Sequence, residues 1–187
     1  MRPPRTAPPA RLFLGVFTGF PELLDWARER FAEAFGSLDD SRESPEFDFP
    51  KTDTYAQSMG PGLRRKFFVA RSCIEQDALA AIKWRAVELE TEAAELREWP
   101  VPRPINIDPG IVNDCRVILA TTKDYAHRIY RGNGIWEEIT LVYRGGQFET
   151  LPWTYPDFRS RAFREYFAQL RVEYLDHLRA RGLMPGS

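Results

Sequence analysis

Arg11 to Phe17, RLFLGVF, is apolar at both alternating sets of positions. Successive strand residues point to opposite faces of a sheet, so a run of this kind suits a central strand covered on both sides. The rest of the chain has to supply that cover. Thr18 and Pro21 open a helix in which Leu23, Leu24, Ala27, Phe31, Ala34 and Phe35 recur at helical spacing up to Gly36, a residue that ends helices. Between Glu75 and Glu98 a longer helix carries Leu79, Ile82, Ala86, Leu89, Ala93 and Leu96 on one stripe, with charge opposite. From Phe158 to Arg181 a last helix presents Phe163, Phe167, Leu170, Tyr174 and Leu178, stopping at Gly182.

The strand signals lie between these helices. FDFPKTDTYA sets Phe47 and Phe49 opposite Asp48, SMGPGL breaks regular structure, and LRRKFFVARSC resumes a strand. Arg64, Arg65 and Lys66 at its start read as solvated or edge-protecting charges, with phosphate contact as the alternative. After the prolines of WPVPRP come three or four strands within Arg103 to Arg159. The order predicts an α+β fold, a ferredoxin-like β-α-β-β-α-β core extended by a β-hairpin and a C-terminal helix. Residues 1–10 form a Pro-rich, disordered lead and residues 11–187 a single domain.

With 26 basic and 27 acidic residues the net charge is −1, so no whole-chain field recruits nucleic acid or an anionic membrane. No run approaches the length of a membrane span, and no signal-peptide pattern follows the N-terminal arginines. Two cysteines, Cys73 and Cys115, are too few for a disulfide scaffold and read as buried, reduced thiols. These features point to the cytoplasm.

The polar residues of 103–159 are too dense for a purely structural run. In PINID, Asn106 and Asp108 share one strand face, and Pro109–Gly110 reads as a tight turn that leaves Asp108 at a strand end. As a short helix, KDYAHRIY would pair Lys123 with His127 and Asp124 with Arg128; the alternative is a strand-like excursion. Gly132, Asn133 and Gly134 form a hairpin turn. In IWEEITLVYR, strict alternation puts Trp136, Glu138, Thr140, Val142 and Arg144 on one face. If that face adjoins Asn106 and Asp108, a groove results, with His127 at its rim and Trp153 and Tyr155 as walls. Asp157 then caps the last helix.

The blocks NIDPG, LATTKDYAHRIY, GIWEEITLVYR and LPWTYPDFRS resemble those of the bacterial domain-of-unknown-function family 4416, and the resemblance covers nearly the whole chain, from RLFLGVF to the last helix. The usual DPGYLT of that family stands here as DPGIVN, Asp108 to Asn113. The resemblance implies a shared fold and no activity.

The polar groove suits a small phosphorylated or nucleotide-like molecule. Asp108 and Glu138 would be ligands for a divalent cation or for hydroxyls, His127 an acid or base, and Lys123, Arg128 and Arg144 anion clamps. Asn106, Thr140, Trp153 and Tyr155 complete the set. No GxxxxGK[ST] or post-strand GxGxxG is present. The alternative is a non-catalytic module that docks a protein partner through the polar face and the Trp153 loop. RNA contact by Arg64, Arg65 and Lys66 is the weakest reading, because the RNP aromatic pattern is missing.

Overall fold

The computed structural model describes residues 6–49 and 53–183. The first half of the Pro-rich lead, residues 1–5, lies outside the described residues, and Ala10 already belongs to the first strand. The chain runs β1 (Ala10–Thr18), α1 (Glu22–Phe35), β2 (Phe47–Asp48), α2 (Asp53–Met59), β3 (Arg64–Ile74) and α3 (Leu79–Glu95). It continues with β4 (Ile105–Val112), β5 (Arg116–Thr121), β6 (Ile129–Gly132), β7 (Ile135–Arg144), β8 (Gln147–Thr150) and α4 (Arg161–Ala180). The described residues thus form an antiparallel sheet of eight strands with four α-helices, ordered β2-β3-β1-β4-β5-β7-β6, with β8 on the free side of β7.

β1 is central and wholly buried, as its double-sided apolarity demands. Leu12, Leu14 and Val16 meet Leu24 and Phe31 of α1 and Leu79, Ala86 and Leu89 of α3 in one core. On the opposite face Phe13, Phe67, Leu141 and Phe148 meet Phe163, Phe167 and Leu170 of α4. That second core is largely aromatic: the Phe13 and Phe167 rings lie 4.9 Å apart, and Phe67 meets Phe163 edge-on at 5.1 Å. Such pairs contribute about 0.5–1.5 kcal/mol each beyond the area they bury.

Four local expectations change. Five strands follow Val101, rather than three or four. The segment around Ser58–Met59 belongs to α2 instead of a turn. Asp157 lies in a 3-10 turn, and Ser160 caps α4 by accepting from the Phe163 amide. The fourth change shapes the molecule: Pro109–Gly110 is no turn but the middle of β4.

β4 pairs with β1 along its whole length, yet with β5 only from Gly110 to Val112. Continued in register, the next rung toward β5 would join Pro109 to Ala120, on the strand edge where Ile107 presents its amide and carbonyl. Proline has no amide proton for that rung, so the two strands part. Gly110 makes the last close approach possible. A Cβ there would stand 2.4 Å from Phe13 Cζ and 2.6 Å from the Ile118 carbonyl. At the other end of the sheet, Asn133 (φ 51°) and Gly134 (φ 73°) form the two-residue turn joining β6 and β7, both in the left-handed region.

Gly110→Ala should lower unfolding stability by about 1–3 kcal/mol or more, because the clash involves backbone as well as flexible side chains. Urea denaturation checks this, and an unchanged midpoint would contradict the close approach.

Candidate functional site

Below Gly110 the separated strands leave backbone groups without sheet partners, and side chains from α3 take their place. The Ile107 amide donates to Glu90 Oε1 at 2.8 Å, and its carbonyl accepts from Lys83 Nζ at 2.7 Å. Lys83 sits on the buried stripe of α3, between Leu79 and Ala86, and reaches through the gap toward Asp108.

The gap opens on the α4 side as a cavity of about 420 Å³, within the range of about 300–1,000 Å³ usual for small-molecule sites. Five cationic side chains line it, Arg65, Lys83, Arg103, Lys123 and Arg128, against two carboxylates, Asp108 and Asp157. Aromatic walls come from Phe49, Tyr55, Tyr125, His127, Trp153 and Tyr155.

Asp108 lies between Lys83 Nζ and Arg65 Nη2, each at 3.5 Å, with 28 % of its side chain open. Burial alone would push its carboxyl up, but Lys83 and Arg65 outweigh it and hold the group below the ordinary carboxylate value. Asn106 and Arg103 act in the same direction. Arg65 is itself buried, its guanidinium 4.7 Å from the Phe17 ring centre and its Nε 3.2 Å from Asp157.

A second charge group lies under the opposite wall. Glu138 is buried and accepts from Arg128 Nε at 2.8 Å, while His127 Nε2 lies 3.1 Å from the same oxygen and Thr140 donates to the other. Arg128 also donates to the Tyr155 hydroxyl and the Lys123 carbonyl. Burial pushes the Tyr155 and Tyr55 hydroxyls up, so both remain protonated donors. His127 is stacked between Tyr125 (6.1 Å between ring centres) and Trp153 (5.2 Å, planes 13° apart). Trp153 is fixed by donating Nε1–H to the Ile139 carbonyl.

Of the residues singled out in the sequence, Asn106, Asp108, Lys123, His127, Arg128, Trp153 and Tyr155 line this cavity. Glu138 and Thr140 stand behind its lining and reach it through His127 and Arg128. Arg144 does not belong to it. The β5–β7 register shifts between Val117 and Ile118, so that Leu141 and Ile139 are partners of adjacent residues and Thr140 is the extra residue of a bulge. The alternation reverses there, Tyr143 turns inward, and Arg144 is left exposed at the β7–β8 turn.

KDYAHRIY is a loop as far as Arg128, followed by β6, and its i, i+4 pairs are replaced by contacts with Glu138. Asp108 faces Lys83 and Arg65, and Glu138 faces Arg128; among the described residues no group of three or more His, Cys, Asp and Glu is placed to hold a metal ion. Arg64, Arg65 and Lys66 form no basic patch either, because Arg65 points inward while Lys66 pairs with Glu43. Arg65, Lys83, Arg103, Phe49, Tyr55 and Tyr125 are among the lining residues that sequence reading missed. Two carried a signal: Arg65 shares the strand period of Phe67 and Val69, and Lys83 shares the apolar stripe of its helix.

The fold and cavity define an α and β protein with a polar, aromatic-walled site at a break in an antiparallel sheet. The chain belongs to the family described as domain of unknown function, DUF4416, whose model matches residues 8–174. Nothing matches among the curated proteins or the solved structures. Among the described residues no helix is long and apolar enough to cross a membrane.

Asp108 has a depressed folded-state value, so its charge stabilises the fold above the ordinary carboxylate range and that contribution is lost as pH falls through the folded value. Asp108→Asn should therefore lower the melting temperature at pH 7, with the gap to wild type closing toward pH 3. A gap independent of pH would refute this. Glu138→Ala should cost about 3–5 kcal/mol in chemical unfolding, since it leaves Arg128 buried without its carboxylate.

Proposed function

We propose that the cavity binds a small phosphorylated or nucleotide-like molecule, and that the protein is a ligand-binding or catalytic one acting on it. One observation carries the reading: aromatic walls enclose a space lined by five cations and only two carboxylates. Aromatic faces suit a planar ring, and surplus cationic donors suit an anionic group. Lys123 is exposed at the mouth and meets the anion first; Arg128, with three of its donors engaged, chiefly braces the wall.

In this reading His127 is the acid or base. Its neutral form donates Nε2–H to Glu138, which fixes the tautomer and leaves the Nδ1 lone pair for a proton from the ligand. Asp108 orients a polar group of the ligand. The protein-docking alternative finds little support at Trp153, whose ring walls a cavity and stacks on His127.

The fold reading is part of the same proposal. Residues 11–187 form one domain with a ferredoxin-like core, supported by the antiparallel order β2-β3-β1-β4 with α1 after β1 and α3 after β3. A cytoplasmic location is supported by the free, half-buried Cys73 and Cys115, the former with its thiol pushed up by burial.

The test is thermal unfolding of the full chain with nucleoside 5′-monophosphates, ribose 5-phosphate and inorganic phosphate. At least one organic phosphate should raise the melting temperature by a few degrees at about 100 times its Kd. Lys123→Ala and Trp153→Ala should each reduce that shift. No shift with any probe would overturn the reading.

A further inference from the structure

The two ends of the cavity differ in charge and in what they leave unsatisfied. At the β4 end, Arg65, Lys83 and Arg103 are matched by Asp108, Asp157 and Glu90, with Arg103 Nη2 2.9 Å from Glu90 and Lys83 3.8 Å from it. That end is balanced. At the other end Arg128 and His127 face the single carboxylate of Glu138, and Lys123 is exposed at the mouth, its Nζ 6.0 Å from the centre of the Tyr55 ring. An anionic group therefore gains more at the Lys123 end, and at the β4 end it would meet two acids.

What the β4 end offers is a pair of hydrogen-bonding groups. Asn106 is only 4 % exposed and lines the cavity, its Oδ1 accepts from Arg103, and its Nδ2 has no partner. A buried donor left unpaired is costly, and such groups normally find partners. Two residues along the same strand face stands Asp108, whose cationic neighbours are both at 3.5 Å and whose side chain is partly open to the cavity. The Asn106 amide favours the charged form of Asp108 beside it, yet its Nδ2 has no partner within hydrogen-bonding distance, so a donor and an acceptor stand side by side with their bonding incomplete.

One small group satisfies both, a hydroxyl, which accepts from Asn106 Nδ2 and donates to Asp108. A phosphate oxygen could serve Asn106 but has no proton for Asp108 and would stand against its charge. We propose that Asn106 and Asp108 form a hydroxyl-reading subsite, so that the ligand is a phosphorylated compound bearing sugar hydroxyls, seated with these at β4 and with its anionic group at Lys123. This rests on the reading of the cavity as an organic-phosphate site and narrows it to phosphates of sugars or nucleosides that keep their ring hydroxyls.

Calorimetric titration of the full chain tests it. The probes are the adenosine, guanosine, cytidine and uridine 5′-monophosphates with their 2′,3′-dideoxy counterparts, and ribose 5-phosphate with 2-deoxyribose 5-phosphate. The hydroxylated member of a binding pair should bind about tenfold or more tightly, as sites built to bond a hydroxyl reject analogues lacking it. Asn106→Ala should bring the two members to within about threefold, by weakening only the hydroxylated one. Arg144→Ala, outside the cavity, should leave both unchanged. Equal binding of the two members to the wild-type chain, or equal weakening of both by Asn106→Ala, would overturn the subsite while leaving the organic-phosphate site in place. The wild-type comparison decides the matter alone if Asn106→Ala does not fold. Binding by no probe would overturn both readings.

Discussion

A missing amide proton governs this molecule. Pro109 occupies the place where β4 would have donated its next rung to β5, and the ladder stops at Gly110. An antiparallel sheet opened in its interior would ordinarily expose backbone groups to an apolar surrounding, at a cost comparable to losing hydrogen bonds. Here α3 lies across the opening and supplies Glu90 to the Ile107 amide and Lys83 to its carbonyl. The break thereby becomes a permanent cavity, and its floor is built from the charges that mend it.

That origin explains why so many charges are buried in so small a region. Lys83 and Glu90 satisfy the opened strand, Asp108 balances Lys83, and Arg65 bridges Asp108 and Asp157 under a roof of Phe17 and Phe49. Buried ion pairs seldom stabilise a fold beyond what apolar residues of equal size would give. Their merit is geometric, because each charged group is held by several others and is presented to the cavity in a fixed place. The Glu138 group on the far wall follows the same design, with one carboxylate ordering His127, Arg128 and Thr140 together.

The parts of the fold governed by local rules were legible in the sequence. Double-sided apolarity marked β1, three- and four-residue spacings marked α1, α3 and α4, and Asn133–Gly134 marked the hairpin. Pro109–Gly110 misled because the pair is the common signature of a turn, and only pairing to β1 on one edge and the missing rung on the other make it a strand. Arg144 misled because alternation is an assumption of strict pleating, which the bulge at Thr140 cancels. Arg65 and Lys83 sat in periods shared with apolar neighbours, a visible sign of burial outweighed by the habit of reading charge as surface. That α3 would lie across the break in β4, and bring Lys83 to Asp108, depends on contacts between distant parts of the chain and had no local sign.

Recognition at such a site has to be short-range. The chain as a whole carries a net charge of −1, so nothing draws an anion from a distance and the cationic surplus exists only within the cavity. Most of that surplus is already engaged with neighbouring acids, which lowers its pull on any one anion but keeps each donor in position. On the proposed reading, selectivity falls to the groups whose bonding is incomplete, Asn106 above all, and to the aromatic walls of the cavity. A site of this construction distinguishes ligands by the fit of their hydrogen-bonding edges more than by their charge. On the proposed reading, the polar break in the sheet is a place where hydrogen-bonding edges are matched, which a plain electrostatic trap would not require.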